Sequence, residues 1–443
     1  MLQKMTLIGM TMLIIVACDT TSNEPEIEAD FRVVIENIAT AKSYSASGAF
    51  NTPVGAASPA PIFPGEAYEA SFDASPGSKL SFATMFVQSN DLFYAPDGGG
   101  IDLYDSMGDQ IVGDITSQIM LWDAGSEVNQ EPGLGADQAP RQSGANTGAA
   151  DADNTIRLAI DDFSNLPAVS DVVMVSLSST GATGFTLRIE NVSSSATLMT
   201  SDGNTHAVPL APGAYVIHSG ENVLFEAGMM DYGYGLSAIA EDGDPSVLAT
   251  MLATDTGVTQ LYAPGVYVVH ESANPLFTDG AADRGDGLEN LAEDGDPTNL
   301  AAALSAASMY SATGAFNTPV GAAGPGALAP GASYEFTVSA MEGEYLSLAT
   351  MLVQSNDLFV APSGMGIALF SDGTAVSGDV TSQFSIWDAG TESNEQPGIG
   401  LNQAPRQAGA DTGTDEMGLV RMVDDMYNYP SLTEIVRITI TEI

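Results

Sequence analysis

Ser45-Ala-Ser-Gly-Ala-Phe-Asn-Thr-Pro-Val54 returns later in the chain as Ser311-Ala-Thr-Gly-Ala-Phe-Asn-Thr-Pro-Val320. The likeness runs on through Leu80-Ser-Phe-Ala-Thr-Met-Phe-Val-Gln-Ser-Asn-Asp91 and Leu346-Ser-Leu-Ala-Thr-Met-Leu-Val-Gln-Ser-Asn-Asp357. It reaches Trp122-Asp-Ala-Gly-Ser-Glu127 and Trp387-Asp-Ala-Gly-Thr-Glu392. A shared block this long is a folded domain in two copies, because solenoid units run to roughly 20 to 50 residues. A chain of 443 residues also exceeds the size at which a single core stops growing. With 46 glycines and 23 prolines, short strands joined by many turns are favoured over long helices.

The opening strand of each copy is read from its alternation. Phe31-Arg-Val-Val-Ile-Glu-Asn37 and Phe185-Thr-Leu-Arg-Ile-Glu-Asn191 place apolar residues at every second position, the pattern of a half-buried strand. Asp171-Val-Val-Met-Val-Ser-Leu177 and Val436-Arg-Ile-Thr-Ile-Thr-Glu442 read as closing strands. Between closing and opening strands, Ser178-Ser-Thr-Gly-Ala-Thr-Gly184 has the composition of a flexible linker. The expected units are therefore 31–177 and 185–443, joined by 178–184. The second contains an insertion at 211–304 that is itself doubled. Ala211-Pro-Gly-Ala-Tyr-Val-Ile-His218 is followed by Ala263-Pro-Gly-Val-Tyr-Val-Val-His270, and Ala240-Glu-Asp-Gly-Asp-Pro245 by Ala292-Glu-Asp-Gly-Asp-Pro297. Asp244 and Asp296, each before a proline, are expected to cap helices. The apolar faces of those helices are assigned to Leu248, Met251 and Leu252, and to Leu300, Ala303 and Leu304.

A net charge of −46, from 57 acidic and 11 basic residues, opposes contact with a nucleic-acid backbone, which requires clustered Lys and Arg. Leu7–Ala17 is an apolar run of signal-peptide length after Lys4. Cys18, the single cysteine, follows it directly, as in the bacterial lipoprotein box, and Asp19–Asp30 reads as a stalk. The expectation is an exported protein: signal peptide 1–17, then lipidated Cys18 and stalk over 18–30. The lipid would hold it to the cell envelope, and the domains would fold without disulfides.

Acidic residues recur at corresponding strand ends: Asp91, Asp123 and Glu127 in the first copy, Asp357, Asp388 and Glu392 in the second. Carboxylates gathered at one rim repel one another unless a cation neutralises them, and oxygen ligands on loops suit Ca²⁺. Asp at a strand end also serves as a turn former. His218 and His270 come without HExxH or Cys-His spacing and read as packed, hydrogen-bonded residues. Gln138-Ala-Pro-Arg141 and Gln403-Ala-Pro-Arg406 carry basic residues that are expected to bridge to carboxylates or to meet an acidic ligand.

Together, the two histidine strands, the Ala-Glu-Asp-Gly segments, the Ser-Asn-Asp-Leu-Phe strand ends, the Trp-Asp-Ala-Gly-Ser/Thr-Glu loops and Tyr429-Pro-Ser-Leu432 resemble the spondin N-terminal domain family, that of F-spondin and its bacterial relatives. The resemblance implies a mainly β fold, two tandem C2-like antiparallel β-sandwiches with one calcium ion each. The implied ligands are Asp91, Asp123 and Glu127 in one, and Asp357, Asp388 and Glu392 in the other. The family more often has Asp where this chain has Glu127 and Glu392. It also implies adhesion, or binding of envelope or matrix proteins or polysaccharides, rather than catalysis. Two alternatives stand beside it: a carbohydrate-active enzyme or hydrolase using acids such as Asp123 and Glu127, and a structural envelope protein.

Overall fold

A computed structural model describes residues 27–139 and 141–443; the expected signal peptide, Cys18 and most of the expected stalk lie outside the described residues. The chain is mainly β, with antiparallel sheets and short helices. Among the described residues no helix is long and apolar enough to cross a membrane.

The opening strands do not belong to the copies they precede. Glu28–Asn37 lies between Ser333–Met341 and Val436–Glu442, with Val33 opposite both Phe336 and Ile440. It is therefore an inner strand of the C-terminal sandwich, and its alternation buries Phe31, Val33 and Ile35 completely. Gly184–Asn191 lies between Ala67–Asp73 and Val173–Ser179, so it completes the sandwich of the first block. The expected linker 178–184 is instead the turn of a hairpin, closed by Thr180 N donating to Gly184 O at 2.9 Å. Small, Gly-bearing residues suit a tight turn as well as a linker, and strands adjacent in sequence usually pair.

One sandwich is thus nested inside the other. The inner one comprises about residues 43–257; the host is made of the opening strand plus 259–443. The proposed doubled insertion divides between them. The histidine strand Leu210–His218 pairs with Lys79–Phe86 in the nested sheet, and Tyr262–His270 pairs with Tyr345–Leu352 in the host sheet. Helices α1 (Leu236–Asp242) and α2 (Ser246–Thr254) cover the nested sheet, while α3 (Leu288–Asp294) and α4 (Thr298–Ala306) cover the host sheet. Each unit has three layers. An apolar core lies between two sheets, and a second, built on Trp122, Phe225 and Leu236 or on Trp387, Phe277 and Leu288, lies under the helices. Lys79–Phe86 and Tyr345–Leu352 are accordingly buried almost throughout, since both faces are covered.

The helical units follow the sequence closely, with two differences. Asp244 and Asp296 do accept a backbone N–H, from Ser246 and Thr298 at 2.9 Å each, but Pro245 and Pro297 occupy the cap position. The buried faces consist of Leu248 with Leu252 and Leu300 with Leu304; Met251 and Ala303 face solvent. Gly243 and Gly295 end α1 and α3 with φ of 66° and 67°, where a side chain would also collide with Ala211 or Ala263.

The nested unit enters and leaves the host through adjacent segments, bridged at Tyr44 and Thr256. Ser43 N donates to Asp255 O at 3.1 Å, and Gly257 N to Tyr44 O at 2.9 Å. Close termini make such an insertion geometrically easy. Residues 43–257 expressed alone should therefore melt cooperatively by circular dichroism. Residues 31–177, the unit expected from sequence, should not, because they lack the strands Gly184–Asn191 and Leu210–His218 and carry a strand with no partner.

Candidate metal centre

Three neighbouring strands position the acids. Leu92 pairs with Asp123, and Asp123 in turn with Arg157; in the host Leu358 pairs with Asp388, and Asp388 with Arg421. Asp91 and Asp357, one residue before these registers, thus stand beside Asp123 and Asp388 at the sheet rim. The turn before each is fixed by a serine. Ser89 Oγ donates to Phe86 O and accepts from Leu92 N, and Ser355 does the same with Leu352 and Leu358.

All six sequence-selected carboxylates are buried. In the nested sandwich Asp91 Oδ2 accepts from the backbone N–H of Ser126 and Glu127 at 2.8 and 3.0 Å, while its Oδ1 is buried without a partner. Asp123 accepts from Gly125 N and Asn129 Nδ2. Glu127 accepts from Asn90 and Gly148. The host repeats the pattern: Asp357 Oδ2 takes Thr391 and Glu392 N–H, and its Oδ1 is again without a partner. Glu392 Oε1 is likewise unpartnered.

The third acid close to the host pair is Glu416. One oxygen from each of Asp357, Asp388 and Glu416 lies within 4.8 Å of the others, and Glu392 is outside that group. Asp151 takes the corresponding loop position in the nested unit, beside Arg157, but among the described residues it does not form such a group with Asp91 and Asp123. Each site also carries an arginine that the sequence reading missed. Arg157 Nη2 lies 3.1 Å from Asp123 and 3.0 Å from Asp151; Arg421 Nη2 lies 2.8 Å from Asp388 and 2.9 Å from Glu416. The signal was available in Ile156-Arg-Leu158 against Val420-Arg-Met422, two of the few basic positions in an acidic chain.

Burial, then the neighbouring Asp388, pushes Asp357 up to about 7. Burial, then Asp91, does the same to Asp123, also to about 7, against the pull of Arg157. Asp91 rises to about 6, chiefly through burial. Asp388 is raised by burial and held back by Arg421. Removing carboxylates from water disfavours their charged form unless a partner compensates. The orphaned Oδ1 atoms and the all-oxygen donor set therefore fit a hard divalent cation. A second acidic group joins Glu289 and Glu293 of α3 to Asp411; the aligned nested positions are Ser237, Glu241 and Asn146.

The histidines are built into the sheets. His218 Nδ1 is 2.9 Å from Gly220 O and must donate there, so Nε2 accepts from Ser81 Oγ at 2.9 Å. His270 repeats this with Ser272 O and Ser347. With both nitrogens engaged and burial lowering each pKa, neither ring is free to ligate a metal. Among the described residues Arg141 and Arg406 bridge no carboxylate. They bind Gln88, Gly135 and Gln138, and Gln354, Gly400 and Gln403, locking their loops.

A scan against protein-family models finds no match, and a search of curated proteins finds none either.

Proposed function

We propose that this chain is an exported, lipid-anchored, calcium-stabilised binding protein with two spondin-like sandwiches, attached through Cys18 and engaging a protein or polysaccharide of the envelope or matrix. The observation that carries it is the Asp357, Asp388 and Glu416 oxygen cluster, with Asp357 Oδ1 buried and unpartnered. Calcium would be held by these acids in the host; in the nested unit, where no three acids gather this closely among the described residues, Asp91 and Asp123 would be its carboxylate ligands. There it would supply positive charge that fixes the rim loops. Glu127 and Glu392 would brace those loops. Asp123 and Glu127 are both buried and hydrogen-bonded to protein groups, which supports binding over acid–base chemistry on a substrate.

The test is a pull-down of the purified protein on washed bacterial cells and isolated envelopes. Saturable binding in calcium that falls in EDTA is expected; no saturable binding in either condition refutes the reading.

A further inference from the structure

The loop before the first helix of each unit has one backbone and two different surfaces. Gly228-Met-Met-Asp-Tyr-Gly-Tyr-Gly235 in the nested unit corresponds to Gly280-Ala-Ala-Asp-Arg-Gly-Asp-Gly287 in the host. The glycines keep the same left-handed angles: φ is 81°, 77° and 104° in one loop, 75°, 72° and 111° in the other. The anchoring bonds also recur, Gly228 N to Ile156 O and Gly280 N to Val420 O, both 2.8 Å. The fold is thus satisfied by Ala281, Ala282, Arg284 and Asp286. Yet the nested loop exposes Met229, Met230, Tyr232 and Tyr234, at 53, 58, 37 and 49%. Large apolar groups held in water where the backbone does not need them mark a contact surface.

Tyr234 and Tyr44 border two adjoining hollows of about 460 and 340 Å³ that share Tyr44, Val223 and Tyr234. The result is a trough rather than a single pit. Tyr232 and Tyr234 stand 6.0 Å apart at 57°, and Tyr232 is fixed by its hydroxyl donating to Asn222 O at 3.2 Å. The rim offers Ser43, Glu221, Asn222 and Asp255. Among the described residues no Lys or Arg lines either hollow; nearby Lys79 is paired with Asp102 and Glu221, and Lys42 Nζ donates to Thr254 O at 2.9 Å at the edge of the second hollow.

We propose that this trough binds a neutral polysaccharide chain, with sugar C–H faces on Tyr234 and Tyr44 and hydroxyl groups on the amide and carboxylate rim. Aromatic faces with a few polar groups are the chemistry of a site that is apolar in body and specific at its edge. The rim carboxylates Glu221 and Asp255 outnumber the single ammonium of Lys42 and disfavour uronic or sulfated chains. This rests on the binding-protein reading above and names its ligand class.

The experiment is native affinity electrophoresis of the full chain in gels containing laminarin, hydroxyethylcellulose, dextran or galactomannan, with alginate as the anionic arm. Retardation in at least one neutral gel and none in alginate is expected. Tyr234→Ala should weaken it about tenfold or more with an unchanged melting curve, and Arg284→Ala in the host loop should leave it intact. No retardation in any neutral gel, equal retardation of Tyr234→Ala, or retention on choline-agarose in place of the glucans overturns the proposal. Envelope binding that survives in Tyr234→Ala would remove the trough and leave the binding-protein reading standing.

Discussion

Val33→Asp should abolish the thermal transition of the C-terminal sandwich and leave that of the nested one unchanged. Val33 is fully buried between Phe336 and Ile440, and a carboxylate placed there has no cation or donor to meet it. An unpaired buried charge costs several kcal/mol, comparable with the roughly 5–15 kcal/mol that holds a domain folded. The aligned change in the other opening strand, Leu187→Asp, should do the converse. The chain has two tryptophans, and each reports on one unit: Trp122 packs against Phe225 under the nested helices, and Trp387 against Phe277 under the host helices. In Trp122→Phe, Val33→Asp should shift the remaining emission to the red at 25 °C. In Trp387→Phe it should not. Were the units 31–177 and 185–443, the two outcomes would be exchanged.

That contrast shows where sequence reasoning reached and where it stopped. The strands were legible because alternation at Phe31, Val33 and Ile35 reports local burial. Partner choice was not, since Phe185, Leu187 and Ile189 carry the same pattern and either strand satisfies either sheet on periodicity alone. Proximity should have weighed more, because Val173–Ser179 and Gly184–Asn191 are separated by one short turn and pair along their length. The helical units misled for the opposite reason. His218 and His270 lie on strands that are neighbours in the chain yet belong to different sheets. At the site, Asp91, Asp123, Asp357 and Asp388 stood out because they end apolar strands. Glu416 and Asp151 did not, because they sit in irregular loops whose course depends on Gly148, Gly413 and the arginines beyond them.

Calcium should raise the melting temperature strongly at pH 8 and little at pH 5. Burial pushes Asp357 up to about 7 and raises Asp123 and Asp91 as well, against about 3.9 in an unfolded chain. A folded-state pKa above the unfolded one means that the native protein holds its protons more tightly. The resulting stability is complete below about pH 4 and is lost as pH rises through 7. The metal-free protein should therefore melt at lower temperature at pH 8 than at pH 5. The groups facing Asp357 are Asp388, Glu416, Glu392, Glu293 and Arg421, so only the arginine offsets the charge once the acids ionise. His218 and His270 act in the other direction: their lowered values make stability fall as pH drops below about 6.5, so the comparison is cleanest between pH 6.5 and 8.5. At a hundred times its dissociation constant a ligand of the native state contributes about 2.7 kcal/mol, or about 5–10 °C for a unit of this size, and adding it near pH 6.5 should release protons. Asp388→Asn should remove the calcium shift of the host transition alone. Arg421→Ala should tighten calcium there, because its guanidinium lies 2.8 Å from Asp388 and 2.9 Å from Glu416 and competes for the same charge. A host transition that ignores calcium at pH 8 in both the native chain and Arg421→Ala would mean that the arginine is the only counterion these carboxylates have.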